Sequence, residues 1–211
     1  MTLLVFDFDG TIADSLEAIV AMSNRLAPQY GLPPASLEDV SELRDLSFNQ
    51  LMRRIDVPLV PLFRLLRRVR RELQAEIPRL SPIPEMAETL QTLSQQGQVM
   101  GILTSNSAEN VRIFLRIHQL ESSFEFIQGN ASIFGKSRII KRLIRQRSLS
   151  PAELIYVGDE TRDIEASRRA GVPVAAVTWG FSTRRALVKN SPTYVVDRPA
   201  ELLTIVKTHR P

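Results

Sequence analysis

Short apolar runs rich in β-branched and aromatic residues recur along this chain: "LLVFDF" at 3–8, "VMGILTS" at 99–105, "FEFIQG" at 124–129, "LIYVGD" at 154–159, "PVAAVTW" at 173–179 and "TYVVD" at 193–197. Runs of this kind, without strict polar alternation, predict strands buried on both faces, as in a parallel sheet. Between them lie segments with helical spacing and helix-end signals. "PEMAETLQTLSQQG" opens on Pro84 and closes on Gly97, and "TRDIEASRRAG" closes on Gly171. Strands alternating with helices predict an α/β fold with helices covering both faces of the sheet. Ligands in such sheets gather at the carboxyl ends of the strands, near the point where strand order reverses. Asp7, Ser105 and Asp159 all fall at such ends.

Residues from about Glu17 to Leu80 break the alternation. They show helical patterns and Pro-rich joints ("GLPPAS", "DVPLVP", "IPRLSPIP") but no convincing strand. The expected organisation is therefore a sheet domain made of 1–16 and 81–211, with a helical cap at 17–80 inserted after the first strand. The segment near Asp14 to Leu16 is the expected way out, and 77–84 the way back. Within the cap, "FRLLRRVRRELQAE" (63–76) puts Leu65, Leu66, Val69 and Leu73 on one stripe and Arg64, Arg67, Arg68, Arg70 and Arg71 around it. A solvated basic face is the favoured reading of those arginines over an RNA or membrane surface. A contact between one of them and an anionic substrate stays open.

Composition narrows the chemistry. The chain has 211 residues, 44% of them hydrophobic, which suits one domain plus a subdomain. With no cysteine, disulfides, zinc–thiolate sites and thiol nucleophiles are excluded, leaving carboxylates, hydroxyls, amines and two histidines. Met1 and Thr2 lead directly into the first strand, and Asp7 interrupts its apolar run before it reaches the length of a signal-peptide core. No window approaches the roughly 18 apolar residues of a membrane span. A cytoplasmic protein without membrane contact is expected. The net charge of +4 is not accompanied by RNA-binding aromatic motifs or zinc-finger spacing, so no nucleic-acid partner is expected; a positive balance also suits attraction of anionic small molecules. Nothing in the sequence specifies an oligomeric state.

Against that background, two like charges at the end of the first strand stand out. Asp7 and Asp9 flank Phe8, and an extended backbone sets them on the same side. Taken alone, Asp-x-Asp fits a turn with side-chain-to-backbone hydrogen bonds. Further features arrive in order at successive strand ends. "DGT" (9–11) supplies a glycine that can turn sharply, and "TSNS" (104–107) brings hydroxyls and backbone N–H groups suited to phosphate oxygens. "FGKSRIIKRL" places Lys136 at a helix start, and "YVGDETRD" brings Asp159 and Asp163 to the end of the fourth strand.

With "DFDGT", "TSN", the isolated Lys136 and "GDxxxD" in this order, and a helical insert after the first strand, the chain resembles the haloacid dehalogenase superfamily of phosphatases over nearly its whole length. "DFDGTIADS", "GILTSN", "YVGDETRDIEASRRAG" and "VTWGF" are similar to its phosphoglycolate phosphatase-like branch. The resemblance implies a Rossmann-like core and a magnesium-dependent phosphatase acting on a small phosphorylated metabolite, 2-phosphoglycolate being the leading example. It implies that Asp7 is the nucleophile forming an aspartyl-phosphate, and Asp9 the acid/base residue. Asp159 matches a Mg2+ ligand, joined by the Asp7 carboxylate and the Asp9 backbone carbonyl; Asp163 either reaches the metal or orients its waters. Lys136 matches the phosphate-contacting lysine. Ser105, with Thr104 the adjacent alternative, matches the phosphate-binding hydroxyl. Gly10 and Thr11 shape the loop, and the backbone N–H groups of Phe8 and Asn106 are expected phosphate donors. Arg44, in "ELRDLSF", is a candidate substrate contact from the cap. The chain departs from the branch at Glu85, where a glycine often opens the helix after the cap.

Other readings share parts of this set. A dehalogenase has no use for Asp9 or for a magnesium site. A phosphomutase, pyrophosphatase or nucleotidase of the superfamily shares the core residues and differs in the cap. A ligand-binding regulatory module on the same scaffold would usually have lost a nucleophile or a metal ligand, and none is missing. His118 and His209 lie outside every motif and read as helix-end and tail residues, and Trp179 as a rim or packing aromatic.

Overall fold

The computed structural model describes residues 2–46, 50, 59–132 and 135–210. The apolar runs form β1 (Leu3–Phe6), β2 (Met100–Leu103), β3 (Phe126–Gln128), β4 (Leu154–Gly158), β5 (Val174–Val177) and β6 (Tyr194–Val196). They make one sheet in the order β3-β2-β1-β4-β5-β6, with every pairing parallel. Strand order reverses at β1, whose Leu4 lies opposite Met100 on one side and Ile155 on the other. The crevice beyond the carboxyl end of β1 is thus the expected place for a ligand. The strands stop short of the polar ends of the predicted runs, so that Asp7, Ser105 and Asp159 lie just past the regular ladder.

Alternation along β1 assigns its side chains to two layers. Leu4 and Phe6 join Met100, Ile102, Ile155 and Val157 against the buried Leu90 and Phe114. Those two come from α4 (Met86–Gln95) and α5 (Ala108–Ile117) of this chain. Leu3 and Val5 face the other way, with Leu103, Leu154 and Tyr156 against Ile140 and Ile144. The latter belong to α6 (Lys136–Gln146). Then follow α7 (Thr161–Ala170), α8 (Arg184–Lys189) and α9 (Glu201–Thr208).

Between β1 and α4 the described residues form α1 (Leu16–Leu26), α2 (Leu37–Arg44), α3 (Leu59–Glu72) and short 3-10 turns, with no strand among them. The stripe that runs along α3 into the turn after it behaves as its spacing predicts: Leu65, Val69 and Leu73 are buried and Leu66 is half-buried. Leu65, Val69 and Leu73 share one contiguous cluster with Met22 and Leu26 of α1 and with Phe8 and Ile12 after β1. The outgoing and returning chain are paired, since Asp14 N donates to Ser81 O at 2.9 Å and Ile83 N to Ile12 O at 2.9 Å. Among the described residues no helix is long and apolar enough to cross a membrane.

Glu85, just before α4, has φ of 66° and an exposed side chain. That left-handed conformation costs a residue with a Cβ about 1–2 kcal/mol, which glycine avoids at some cost in unfolded-chain entropy. Glu85→Gly is expected to stabilise the protein by about 0.5–1 kcal/mol, read as a higher urea midpoint with an unchanged slope.

Candidate active site

Past β1 the backbone continues its ladder for one more residue, Asp7 N donating to Val157 O at 2.8 Å. It then turns at Gly10, whose φ is 71°. An added Cβ there would lie 2.4 Å from Asp159 Oδ2, so both the turn and the closeness of the two loops require glycine. The loop after β4 enters α7 through a reciprocal cap, in which the Asp163 carboxylate accepts from Glu160 N at 3.2 Å. Gly158 leaves room for it: a Cβ would meet Asp163 Oδ2 at 2.6 Å.

These turns bring Asp7, Asp159 and Asp163 together, all buried, with one carboxylate oxygen of each within 4.8 Å of the others. Lys136, only 3% exposed, reaches in from the first residue of α6 and donates to Asp7 Oδ2 and, at 2.7 Å, to Asp163 Oδ1. Its ammonium lies 5.4 Å from the centre of the Tyr156 ring, whose hydroxyl is tied to Leu103 O at 2.9 Å. Burial opposes the charge on Lys136, but Asp163 and Asp7 outweigh it and hold the amine protonated well above its ordinary range. One ammonium does not neutralise three carboxylates. Burial, then Glu160, Asp163 and Asp7, push the Asp159 carboxyl well up. Asp163 is pushed up to about 6 by burial, with Lys136 acting against the shift and Asp7 for it.

Asp159 is held from two sides. Thr11 Oγ1 donates to its Oδ1 at 2.7 Å and Phe181 N to its Oδ2 at 2.7 Å. Asp9 is partly exposed and accepts from Asn106 Nδ2 at 3.0 and 3.3 Å. Burial first, and the Asp7 charge second, push its carboxyl up to about 6, so it can carry a proton near neutrality.

Several sequence expectations take a different form. Phe8 N donates to Asp7 Oδ1 at 2.8 Å and Asn106 N to Thr104 Oγ1 at 3.1 Å, so neither backbone group points free toward a phosphate. The Asn106 side chain is buried; besides gripping Asp9 it accepts from Ser107 N at 2.8 Å and Asn110 Nδ2 at 2.9 Å, which makes it a positioning group. Thr11 is fully buried and its hydroxyl is turned to Asp159. Thr104 is also buried, whereas Ser105 lines a cavity of about 390 Å³. Arg44 does not reach toward the carboxylates: its Nε donates to Phe181 O at 2.8 Å and its Nη2 to Gly180 O at 2.9 Å. It thus clamps the loop that holds Asp159.

In that loop sequence reasoning missed the part played by Gly180 and Phe181 in holding Asp159. A Cβ on Gly180 would lie 2.3 Å from Asp159, so its place in "VTWGFS" reflects a close approach. Trp179 Nε1 donates to Thr11 O at 3.1 Å, tying the same loop to the turn after β1. Arg162, paired with Glu160, and Arg70 of α3 bring further positive charge to the site. His118 ends α5 with its ring on Leu80 O at 2.9 Å, and His209 lies on Ala152 O at 2.7 Å, both outside the cluster.

The haloacid dehalogenase-like hydrolase family matches residues 4–177. The chain belongs to that family. This haloacid dehalogenase-like hydrolase is 39% identical over 206 residues to a phosphoglycolate phosphatase of Synechococcus elongatus, covering 98% of the chain and 97% of the relative. It is 26% identical over 207 residues to a pyrophosphatase of Bacillus mycoides, covering 96% and 95%. A solved haloacid dehalogenase-like hydrolase from Streptococcus pneumoniae superposes with a TM-score of 0.79 at 22% identity, over 98% of both chains, showing the shared fold. In this haloacid dehalogenase-like hydrolase the three clustered acids fit a hard divalent cation, because they offer only oxygen donors and their mutual repulsion leaves an excess of negative charge.

Proposed function

We propose that this hydrolase is a magnesium-dependent phosphatase that cleaves a small phosphate monoester through an aspartyl-phosphate, with 2-phosphoglycolate as the leading substrate. It is a phosphoric monoester hydrolase of the haloacid dehalogenase-like family. The observation that carries the reading is the convergence of Asp7, Asp159 and Asp163 on Lys136, with the Asn106-bound Asp9 beside them. The near full-length relative at 39% identity supports phosphoglycolate over pyrophosphate, whose hydrolase is similar at 26%.

In the first half-reaction the Asp7 carboxylate attacks phosphorus, and the bond from phosphorus to the ester oxygen breaks with its electron pair remaining on that oxygen. Protonated Asp9 gives its proton to the departing alkoxide. In the second, water attacks the phosphorus of the aspartyl-phosphate while Asp9 takes the water's proton. The phosphorus–Asp7 bond breaks, restoring the carboxylate and freeing phosphate. Asn106 holds Asp9 in position for both transfers. Ser105, on the cavity wall, offers its hydroxyl to a phosphate oxygen. Lys136 offsets the repulsion between the acids and an incoming dianion, which for two unit charges about 4 Å apart is about 4 kcal/mol at an intermediate dielectric. Asp7, Asp159 and the Asp9 carbonyl would hold Mg2+, with Asp163 beside them. When bound, the cation neutralises phosphate oxygens and lowers the barrier to attack.

The experiment is a panel of 2-phosphoglycolate, a hexose phosphate, pyrophosphate, a nucleoside monophosphate and p-nitrophenyl phosphate at equal concentration, with and without Mg2+. The expected result is metal-dependent phosphate release with the highest kcat/KM for 2-phosphoglycolate. A better rate on pyrophosphate would replace the substrate, and no metal-dependent release from any member would overturn the phosphatase reading.

A further inference from the structure

The cavity beside Ser105 has a second wall, supplied by the last turns of α3. Arg67, Arg70 and Arg71 face Ser105, Asn110 and Asn130 across about 390 Å³. The three arginines are not equivalent. Arg67 and Arg71 are exposed, whereas Arg70 is half-buried and lies near enough to Asp9 for the two charges to act on each other. Burial, and then repulsion from Arg162, weaken the hold of Arg70 on its charge; Asp9, Glu160 and Asp7 act in the other direction. Among the described residues Arg70 donates no hydrogen bond and makes no ion pair, while its neighbour Arg68 is bound to Glu72 and Arg162 to Glu160. A half-buried guanidinium with its donors unfilled lies at the edge of a cavity whose wall holds Ser105, next in the chain to the Asn106 that grips Asp9, and also the exposed Glu109; it is suited to a planar anion that can take two parallel N–H bonds.

We propose that Arg70 binds a second anionic group of the substrate, a carboxylate, and so selects phosphorylated hydroxy acids over phosphates of neutral alcohols. This rests on the phosphatase reading above. The reaction already assigns the phosphate group to Lys136, Ser105 and the cation, so a carboxylate one carbon beyond the ester oxygen is the part of the substrate left for the cap to recognise. Arg67 and Arg71, more exposed, add to the field that draws a doubly charged substrate into the cavity.

The test compares two substrates of matched size, 2-phosphoglycolate and 2-hydroxyethyl phosphate, in which a neutral CH2OH replaces the carboxylate. Wild-type enzyme is expected to prefer 2-phosphoglycolate. In Arg70→Gln the ratio of the two kcat/KM values is expected to fall roughly ten- to a hundredfold, mostly through KM for 2-phosphoglycolate, as befits a lost charge-assisted hydrogen bond. Arg70→Lys, which keeps the charge but not the planar fork, is expected to recover part of that ratio. A ratio unchanged in Arg70→Gln, or equal losses on both substrates, would overturn the role of Arg70 while leaving the phosphatase reading in place. Wild-type enzyme with no preference would overturn both the role and the phosphoglycolate assignment. Absence of metal-dependent turnover on p-nitrophenyl phosphate would remove the phosphatase reading itself, and the proposal with it.

Discussion

Asp7→Asn is expected to abolish turnover and to leave the protein folded. The substitution replaces a negatively charged oxygen by a neutral amide that does not attack phosphorus. With the covalent route closed, a loss of at least about a thousandfold in kcat is expected, equivalent to about 4 kcal/mol of barrier. The fold survives for a specific reason. Asn Oδ1 can still accept from Phe8 N, and Lys136 keeps its partner Asp163 at 2.7 Å. One member of a crowded set of buried carboxylates is removed, so little stability is lost. Phosphate release and a thermal melt on the same preparation check both halves. More than a tenth of wild-type activity in a folded variant would show that another residue attacks.

Chelation of divalent metal is expected to have an effect of similar size. Turnover falls to near background with a chelator and returns with Mg2+, because three buried carboxylates and a phosphate dianion cannot be brought together against Lys136 alone. The same cation should stabilise the resting protein. At about a hundredfold excess over its Kd, binding contributes about 2.7 kcal/mol, which corresponds to a rise in Tm of about 5–10 °C for a chain of this size. Asp159→Asn should reduce both effects. The rise should also depend on pH. Asp163 and Asp9 have folded-state pKa values raised to about 6. For a carboxylate with a raised pKa, the folded state binds the proton more tightly than the unfolded chain. The metal-free protein therefore loses stability as pH increases from about 4 through 6. Mg2+ competes with protons for the clustered acids, above all Asp159, whose carboxyl is pushed well up, so its stabilisation is larger at pH 8 than at pH 5. A Tm insensitive to Mg2+ at both pH values, with activity intact under chelation, would show that the acids serve another purpose.

Much of this site was legible because its parts are local in sequence and tied to strand ends. Asp7 and Asp9 stand just past a run buried on both faces, and Asp163 follows Asp159 by the spacing that closes a helix cap through Glu160. Glu85 was visible as a departure from a branch glycine, but its reason, a φ of 66°, is a property of the folded backbone. Arg44 shows what local reading does not reach. Its charge and position make it a candidate substrate contact, while the fold sets its Nε and Nη2 on the carbonyls of Phe181 and Gly180, more than a hundred residues away.

By itself the sequence determined the parallel sheet, the helical insert after β1, the acids at the strand ends and the lysine at a helix start. It could do so because hydrophobic periodicity and turn chemistry act over a few residues. Only the tertiary structure decided who partners whom: Lys136 shared between Asp7 and Asp163, Asp159 gripped by Thr11 and the backbone after Gly180, and Asn106 turned inward to Asp9. Among the arginines that line the cavity, it also separated Arg70 from the exposed Arg67 and Arg71. Those choices depend on distances between segments far apart in the chain, and on which polar groups are already satisfied when the segments meet.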